Sequence, residues 1–296
     1  MKKDTLWRFA RLLVVLLGIG ILVYPSLSEY LSERNSSRVT SSYDDTVART
    51  EQERLNQLLA QAQEYNRQLA GVSMGEAPLS DDDGNPITPE SYWDLLNVDS
   101  STGIMGYIEL PRLNTTIPIY HGTSEAVLQV GVGHLQNTSL PVGGESTHAA
   151  LSGHRGLPTR SLFTDLDKME IGDTFYITVL GQTLCYTVDQ IVTVLPHEMN
   201  ALAIEEGRDY VTLITCTPYG VNSHRLLVRG HRVPYMPEAE AQAMETQKPG
   251  WFQSLPMQYR HLLIGLGIVL VIVVLRILIG VLLRRFRKGR KRKHEK

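Results

Sequence analysis

Cysteine is scarce in this chain, which has two cysteines among 296 residues. So few cysteines exclude a scaffold built on disulfides. One bond between Cys185 and Cys216 is possible in an oxidising compartment, but a domain of about 150 residues can bury its core without it. The 24 glycines fall far short of a collagen-like composition, and 43% hydrophobic against 20% charged residues excludes a disordered chain. Internal repeats and low-complexity tracts are also lacking.

The formal net charge of −2 hides a strong regional asymmetry. Positions 26–260 contain 15 basic and 29 acidic residues, whereas the two ends together contain 14 basic and two acidic residues. Both basic ends adjoin an apolar run. The charge pattern therefore bears on how the chain is placed in a membrane.

The C-terminal apolar run extends from Leu262 to Leu283, 22 residues with one charge, Arg276. This length can span a bilayer core of about 30 Å, so we predict a transmembrane helix at 261–283. Nine of the last 13 residues are Lys or Arg, which predicts a cytoplasmic tail at 284–296. Directly after an apolar helix, such a tail favours contact with membrane lipid, and we reject nucleic acid as its partner.

The N-terminal apolar run predicts a second transmembrane segment or signal anchor at 12–28, after a basic cytoplasmic N-terminus at 1–11. No small-x-small cleavage site follows it, which favours retention, although cleavage stays open. In either case the middle of the chain lies outside the cytoplasm.

This middle part begins with a helical pattern. Apolar residues recur at helical spacing between Thr46 and Leu69, which predicts an amphipathic helix ended by Gly71. The stretch from Gly71 to Glu90 is rich in Gly, Pro and Asp and is too long for a simple connector. We therefore interpret residues 43–95 as an extracytoplasmic helix and a lid-like loop.

From Met105 onward, the sequence consists of short runs rich in residues that favour β-strands. They are separated by turn residues at intervals typical of antiparallel strands, with one short helical stretch from Ser161 to Met169. Seven or eight strands in about 130 residues predict a closed barrel or a sandwich at 96–235, with a linker at 236–260. The runs are MGYIELP, TTIPIYHG, THAALSGH, DTFYITVLG, QTLCYTVDQIVTVLP, DYVTLITC and HRLLVRGHRV.

The two cysteines lie in different settings. Cys216 ends a β-rich run just before a Pro-Gly turn, where a side chain can reach solvent and act as a nucleophile. Cys185 lies in the middle of the run TLCYTV, where a cysteine usually behaves as a small buried hydrophobic residue.

A reactive thiol needs a base or a cation nearby, because the thiolate is the nucleophile. His154 follows a strand and is flanked by Gly153 and Gly156, although such a histidine is as often structural as catalytic. If the turn after Cys216 folds back as a hairpin, Arg225 returns near the sulfur, where it could donate to an oxyanion. Arg229 lies on the same face but about 13 Å deeper.

Three motifs in order resemble the sortases: GHRGLP (153–158), TLITC (212–216) and HRLLVRG (224–230). The stretch from Met105 to Gly144 resembles the pilin-polymerising class C branch. The resemblance covers about residues 95–233. It implies a mainly β fold, a closed sortase-type barrel of about eight strands, here with an N-terminal amphipathic helix and flanking transmembrane helices. It also implies Cys216 as nucleophile, His154 as general acid and base, and Arg225 as the oxyanion and substrate arginine.

The resemblance implies a membrane-anchored cysteine transpeptidase on the extracellular side of the cell membrane of a Gram-positive-type bacterium. Cys216 attacks the Thr of an LPxTG-like sorting signal, and a Lys amine of the next pilin resolves the thioacyl enzyme. Its partners are pilin or surface-protein precursors with a C-terminal sorting signal. No cofactor or metal is expected, and no Asp or Asn orienter of the histidine is found in the motifs.

Class C sortases usually carry an Asp-Pro-aromatic lid before the barrel. The loop from Gly71 to Glu90 has Asp81, Asp82 and Asp83 but no such triplet. We predict that the loop still covers the site and that one of these Asp residues pairs with Arg225. Three alternatives stay open: a sortase that anchors proteins to the cell wall, a hydrolase of sorting signals, and a non-enzymatic membrane adaptor, which the coincidence of three motifs disfavours.

Overall fold

The computed structural model describes residues 2–70, 89–99, 102–157, 162–198, 200–238 and 240. Eight β-strands close into one barrel. The strands are β1 (Ile104–Leu110), β2 (Thr115–His121), β3 (Val132–His134), β4 (Thr147–Ser152), β5 (Thr174–Val179), β6 (Gln182–Val194), β7 (Asp209–Thr217) and β8 (His224–Val233). The α-helices are α1 (Lys2–Arg49), α2 (Gln52–Leu69), α3 (Pro89–Asp94) and α4 (Glu125–Leu128), and single 3-10 turns form at Pro111–Leu113, Leu166–Lys168 and Asn200–Leu202.

Neighbouring strands around the barrel follow the order β1-β2-β3-β4-β7-β8-β6-β5. The pairs β2–β3 and β4–β7 are parallel, and the other pairs are antiparallel. Strand β7 therefore lies between β4 and β8, although β5 and β6 separate it from β4 in the sequence. This crossover brings the GHRGLP motif beside the TLITC motif.

Alternation along β7 decides which side chains face the barrel core. Val211 and Leu213 belong to the main core, whereas Ile214 belongs to a separate small apolar cluster. Because side chains alternate along a strand, Cys216 lies on the same face as Ile214 and opposite to the core. The sulfur is thus on the outer face of the sheet.

The predicted helix from Thr46 to Leu69 is two helices. Helix α1 ends at Arg49, and α2 begins at Gln52 after Glu51, whose φ of −58° and ψ of 136° are extended. The predicted apolar stripe is correct for α2, which buries Leu55, Leu58, Ala62, Tyr65 and Leu69. The apolar spacing predicted the buried stripe but gave no sign that Glu51 is extended. The predicted start of the helix at Thr46 was therefore wrong.

Two polar side chains fix the helices to the barrel. The Tyr43 hydroxyl of α1 donates to the Met105 carbonyl at 2.8 Å and accepts from the Leu180 amide at 2.8 Å. The Asn66 amide of α2 donates to the Leu140 carbonyl at 3.0 Å and accepts from the Leu140 amide at 2.6 Å. Each contact satisfies buried backbone groups that would otherwise cost free energy.

The barrel of eight strands is confirmed, and so is the presence of a helix before it. Two details of the sequence prediction were wrong. The short helix at 161–169 is a set of turns with a 3-10 turn at Leu166–Lys168, and the three-residue strand β3 was missed. Three residues are too few to show an alternating pattern.

The predicted membrane segments fall largely beyond the described residues. Of the residues described, none forms a helix with the length and apolar character needed to cross a membrane. Residues 12–28 are helical within α1, but most of their side chains are outside the description. The predicted helix at 261–283 and the tail at 284–296 lie outside the described residues.

Candidate active site

Cys216, Arg225 and His154 lie side by side across three neighbouring strands. Cys216 of β7 is directly opposite Arg225 of β8 in the antiparallel pair. On the other side of β7, Ser152 of β4 is opposite Ile214, so His154, two residues further on, reaches the level of Cys216. Adjacent strands are about 4.8 Å apart. The structure therefore brings together the three residues that the sequence singled out.

The chain beyond β4 stays in register with β7 as far as His154. The Gly153 amide donates to the Ile214 carbonyl at 3.0 Å, and the Thr215 hydroxyl donates to the Gly153 carbonyl at 2.8 Å. A Cβ on Gly153 would lie 2.7 Å from the Phe163 ring, so a side chain does not fit there. Glycine before His154 is thus a packing requirement.

The two cysteines are free thiols, so the possible disulfide is not formed. Cys185 lies in β6 and is buried, as its sequence context predicts, and burial raises the pKa of its thiol. A raised pKa disfavours the thiolate that nucleophilic attack requires. Cys216 is partly exposed at the end of β7. The two thiols therefore differ in their access to solvent.

A carboxylate that the sequence motifs did not reveal contacts His154. The Glu125 Oε2 atom lies 3.3 Å from His154 Nε2. Glu125 begins α4, which Ser124 caps through a hydrogen bond from the Val127 amide at 3.4 Å. The other carboxylate oxygen accepts from Gln129 at 2.6 Å, and this bond and the nearby His154 lower the pKa of Glu125. The Ser-Glu helix start is a sequence signal, but nothing local links it to a histidine 29 positions away.

The two arginines of β8 have different surroundings. Arg225 donates from Nη1 to the carbonyls of Asn222 (3.2 Å) and His224 (3.1 Å), and in the described part of the chain no carboxylate is within ion-pair range of it. Arg229 instead donates to both carboxylate oxygens of Asp189, at 3.0 and 3.3 Å, and to Glu205 at 3.2 Å. The charge of Arg229 is thus compensated, whereas Arg225 is available beside the sulfur.

An apolar strip extends along the same face of the sheet behind Cys216. It consists of Ala150 in β4, Ile214 in β7 and Leu227 in β8, with Leu202 of the 3-10 turn before β7 packed against them. Partly buried side chains flank this cluster: Leu135, Val192, Val194 and Ala201. The four side chains of the strip itself are buried, so it is a packed apolar support behind Cys216.

The lid residues proposed from the sequence, Asp81, Asp82 and Asp83, lie outside the described residues. Across the described ranges, no group of three or more His, Cys, Asp or Glu side chains is arranged to hold a metal ion.

Comparison with known proteins gives a consistent result. The family described as Sortase domain matches residues 108–233. Sortase C1 of Streptococcus agalactiae is 47% identical, with a TM-score of 0.62 over 67% of this chain and 100% of that one. Sortase C of Streptococcus pneumoniae is 44% identical, with a TM-score of 0.57 over 67% and 97%. Sortase C-1 of Actinomyces oris is 47% identical, with a TM-score of 0.53 over 61% and 99%.

Curated relatives are more distant. Sortase A of Streptococcus agalactiae and sortase D of Bacillus subtilis are each 27% identical, over 44% and 43% of this chain. The matches span 54% and 63% of the length of these two relatives. The barrel, with Cys, His and Arg in a row at the ends of three strands, has the elements that a thiol enzyme of acyl transfer requires. The chain belongs to the sortase family, whose members are cysteine transpeptidases, and its structural matches lie in the class C branch.

Proposed function

We propose that the chain is a pilin-polymerising sortase that cleaves an LPxTG-like sorting signal between Thr and Gly and joins the Thr to a Lys amine of another subunit. The observation that carries the proposal is the alignment of Cys216, His154 and Arg225 across β7, β4 and β8. Each of the three side chains has the chemistry for one role in the reaction, and the three lie at the same level of neighbouring strands.

The reaction has two acyl transfers. The Cys216 sulfur attacks the Thr carbonyl carbon, and Arg225 donates hydrogen bonds to the oxyanion. The C–N bond to Gly then breaks, and the departing amine takes a proton from the protonated imidazole of His154. A Lys amine attacks the thioester and gives its proton back to His154. The C–S bond breaks, which leaves an isopeptide bond and a free thiolate.

Sortase C of Streptococcus pneumoniae has a specificity for pilin substrates, and this relative is 44% identical to the chain. This likeness favours a pilin signal over a wall-anchoring one.

The membrane anchors are part of the same proposal. Segments 12–28 and 261–283 would hold the barrel at 96–235 on the extracellular side of the membrane of a Gram-positive-type bacterium, with 1–11 and 284–296 in the cytoplasm and 236–260 as linker. The basic tail would contact anionic lipid. The loop with Asp81, Asp82 and Asp83 stays a predicted cover for Cys216.

The test uses the full-length protein in detergent and a peptide that contains LPxTG. Mass spectrometry of the protein detects the thioacyl enzyme. We expect it in the wild type and in Cys185→Ala but not in Cys216→Ala, which removes only a partly exposed sulfur. A folded Cys185→Ala variant without thioacyl enzyme would show that the nucleophile is wrongly assigned.

The reaction products show which acceptor resolves the thioacyl enzyme. A Lys-containing pilin peptide should convert the thioacyl enzyme to an isopeptide product faster than water hydrolyses it, because thioesters react more readily with amines. Hydrolysis alone would support the signal hydrolase, and transfer only to cell-wall peptide amines would support the wall-anchoring alternative.

A further inference from the structure

Arg155 follows His154 directly, and the proposed reaction gives it no role. Its side chain is 9% exposed. The guanidinium makes four contacts: Nε with the Thr164 carbonyl at 3.2 Å, Nη2 with the Asp167 carboxylate at 2.5 Å, Nη1 with the Thr217 hydroxyl at 3.1 Å, and the face of the Tyr219 ring at 6.0 Å. Arg155 is thus a buried arginine whose three guanidinium nitrogens all make hydrogen bonds at this end of the barrel.

These contacts belong to two different loops. Thr164 and Asp167 lie in the connection after β4, which begins at Gly153 and contains His154. Thr217 is the residue after Cys216, and Tyr219 lies in the turn from β7 to β8. Arg155 therefore connects the neighbour of the histidine to the neighbour of the cysteine.

Two hydrogen bonds within the loop after β4 also stabilise it on either side of Arg155. The Phe163 amide donates to the His154 carbonyl at 3.2 Å, and the Gly156 amide donates to the Thr164 hydroxyl at 3.0 Å. These two bonds join residues on either side of Arg155 to the segment 163–164, and the Arg155 side chain hydrogen-bonds from there to Thr217 of β7. Arg155 therefore adds a side-chain link between the two loops to the hydrogen bonds around Gly153.

Tyr219 packs on the backbone beside Arg155. Gly156 has a φ of +80°, and a Cβ there would lie 2.7 Å from the Tyr219 ring. The missing side chain lets the ring lie close to the loop that carries His154. This packing is a second contact between the same two loops, next to the Arg155 bond to Thr217.

We propose that Arg155 is a positioning residue that fixes the His154 imidazole relative to the Cys216 sulfur by joining their two loops through Thr217. The inference rests on the proposed function, because it concerns the distance between those two reacting groups. Arg155 is next to His154 and hydrogen-bonds to Thr217, which is next to Cys216, so it acts on the proton transfers and the attack. A displacement of the order of 1 Å between reacting groups can lower a rate about 100-fold.

The geometry requires a forked cation. Nε and Nη2 engage one loop while Nη1 engages the other, which a single ammonium group cannot reproduce. We therefore expect Arg155→Lys to behave like Arg155→Gln. Asp167 is half exposed, so the loss of its partner leaves no buried carboxylate, and the barrel should fold in both variants.

The test compares kcat and KM for LPxTG peptide cleavage by the full-length wild type, Arg155→Gln, Arg155→Lys and Thr217→Val. The matched control is Arg112→Gln, since Arg112 also pairs with carboxylates, the exposed Glu170 at 2.5 Å and the buried Asp173 at 3.9 Å, but these partners belong to neither of the two loops' contacts at the site. We expect kcat to fall about 10- to 100-fold in both Arg155 variants with KM within about threefold. Arg112→Gln should keep the wild-type kcat.

The double variant Arg155→Gln with Thr217→Val separates positioning from general loosening. If Arg155 acts through Thr217, the double variant is no slower than Arg155→Gln alone, because the joined contact is already lost. Losses that multiply, or an equal loss in Arg112→Gln, would overturn the inference. So would an unchanged kcat in Arg155→Gln. A wild type that forms no thioacyl enzyme would instead refute the proposed function.

Folding is checked by thermal unfolding of each variant. Should Arg155→Gln fail to fold, Asp167→Asn takes its place, because it removes one arm and leaves the bond to Thr217. A smaller loss of kcat with wild-type KM then supports the inference, and a rise in KM alone contradicts it.

Discussion

At the scale of single residues, two arginines four positions apart differ in what surrounds them. Strand alternation places Arg225 and Arg229 on one face, but of these two arginines it is Arg229 that pairs with Asp189 and Glu205. The ring of Tyr210 also lies 4.1 Å from the Arg229 guanidinium carbon. The charge of Arg229 is therefore compensated within the fold, and Arg225 is the arginine that we propose to bind an anion beside Cys216.

We predict that Arg225→Lys lowers kcat much more than Arg229→Lys does. The loss of a forked donor to an oxyanion costs about 100- to 1000-fold in kcat, whereas Arg229→Lys weakens a contact to Asp189 away from the sulfur. Steady-state peptide cleavage measures both. Equal losses would remove the reason for choosing Arg225.

A second residue-scale prediction concerns Glu125, which contacts His154 from α4. Glu125→Gln keeps the size of the side chain but removes the charge that holds the imidazole, so we expect kcat to fall about two- to fivefold, as for an exposed pair. Gln129→Ala is the control, because Gln129 binds the other carboxylate oxygen. A loss of the same size in the control would show that α4 itself matters, rather than its contact with His154.

At the scale of elements, α1 is joined to the barrel at the seam between β1 and β5. The Tyr43 hydroxyl satisfies a carbonyl of β1 and the amide that follows β5. Tyr43 and Val47 are both buried in the main core. The end of α1 is therefore part of the folded domain, which explains why the helical stripe begins before α2.

We predict that Tyr43→Phe lowers the free energy of unfolding by about 1–3 kcal/mol, because two buried backbone groups lose their partner. Tyr30→Phe is the control, since Tyr30 lies on the same helix and is 57% exposed. Urea unfolding followed by circular dichroism compares them. A Tyr43→Phe variant as stable as Tyr30→Phe would mean that α1 contributes little to barrel stability.

At the scale of the whole molecule, buried titratable groups set how stability depends on pH. Burial, followed by the charge of Glu240, raises the pKa of Glu109 to about 7. Burial lowers the pKa of His134 to about 4. His134 stabilises the fold above about pH 6.5 and loses this contribution as the pH falls towards 4. Glu109 acts in the opposite direction.

The Glu109 prediction follows from the sign of its shift. Between about pH 4.5 and 7 the unfolded chain ionises Glu109 more readily than the folded one, so the contribution of Glu109 to wild-type stability falls by up to about 3 kcal/mol as the pH rises through this range. Glu109→Gln should match the wild type near pH 4.5 and exceed it at about pH 8. Unfolding curves at both pH values test this, with the exposed Glu206→Gln as control. A constant difference between the curves would contradict the assignment.

The sequence by itself was enough for the strands, the motifs and the contrast between Cys185 and Cys216, and the motifs, through their resemblance to sortases, favoured a barrel over a sandwich. These properties depend on local alternation and on residues next to turns, so seven of the strands could be predicted along the chain. The hairpin from β7 to β8 was also within its reach, because the nine-residue step returns Arg225 to Cys216.

Only the tertiary structure decided which distant segments meet. The parallel pairing of β4 with β7 brings His154 beside Cys216, and the connection between β2 and β3 delivers Glu125 to that histidine. Arg155 has no local reason to contact Thr217, which lies 62 positions away. Such contacts form because closing the barrel buries apolar faces and pairs every strand edge. That global requirement leaves no pattern in a single stretch of sequence.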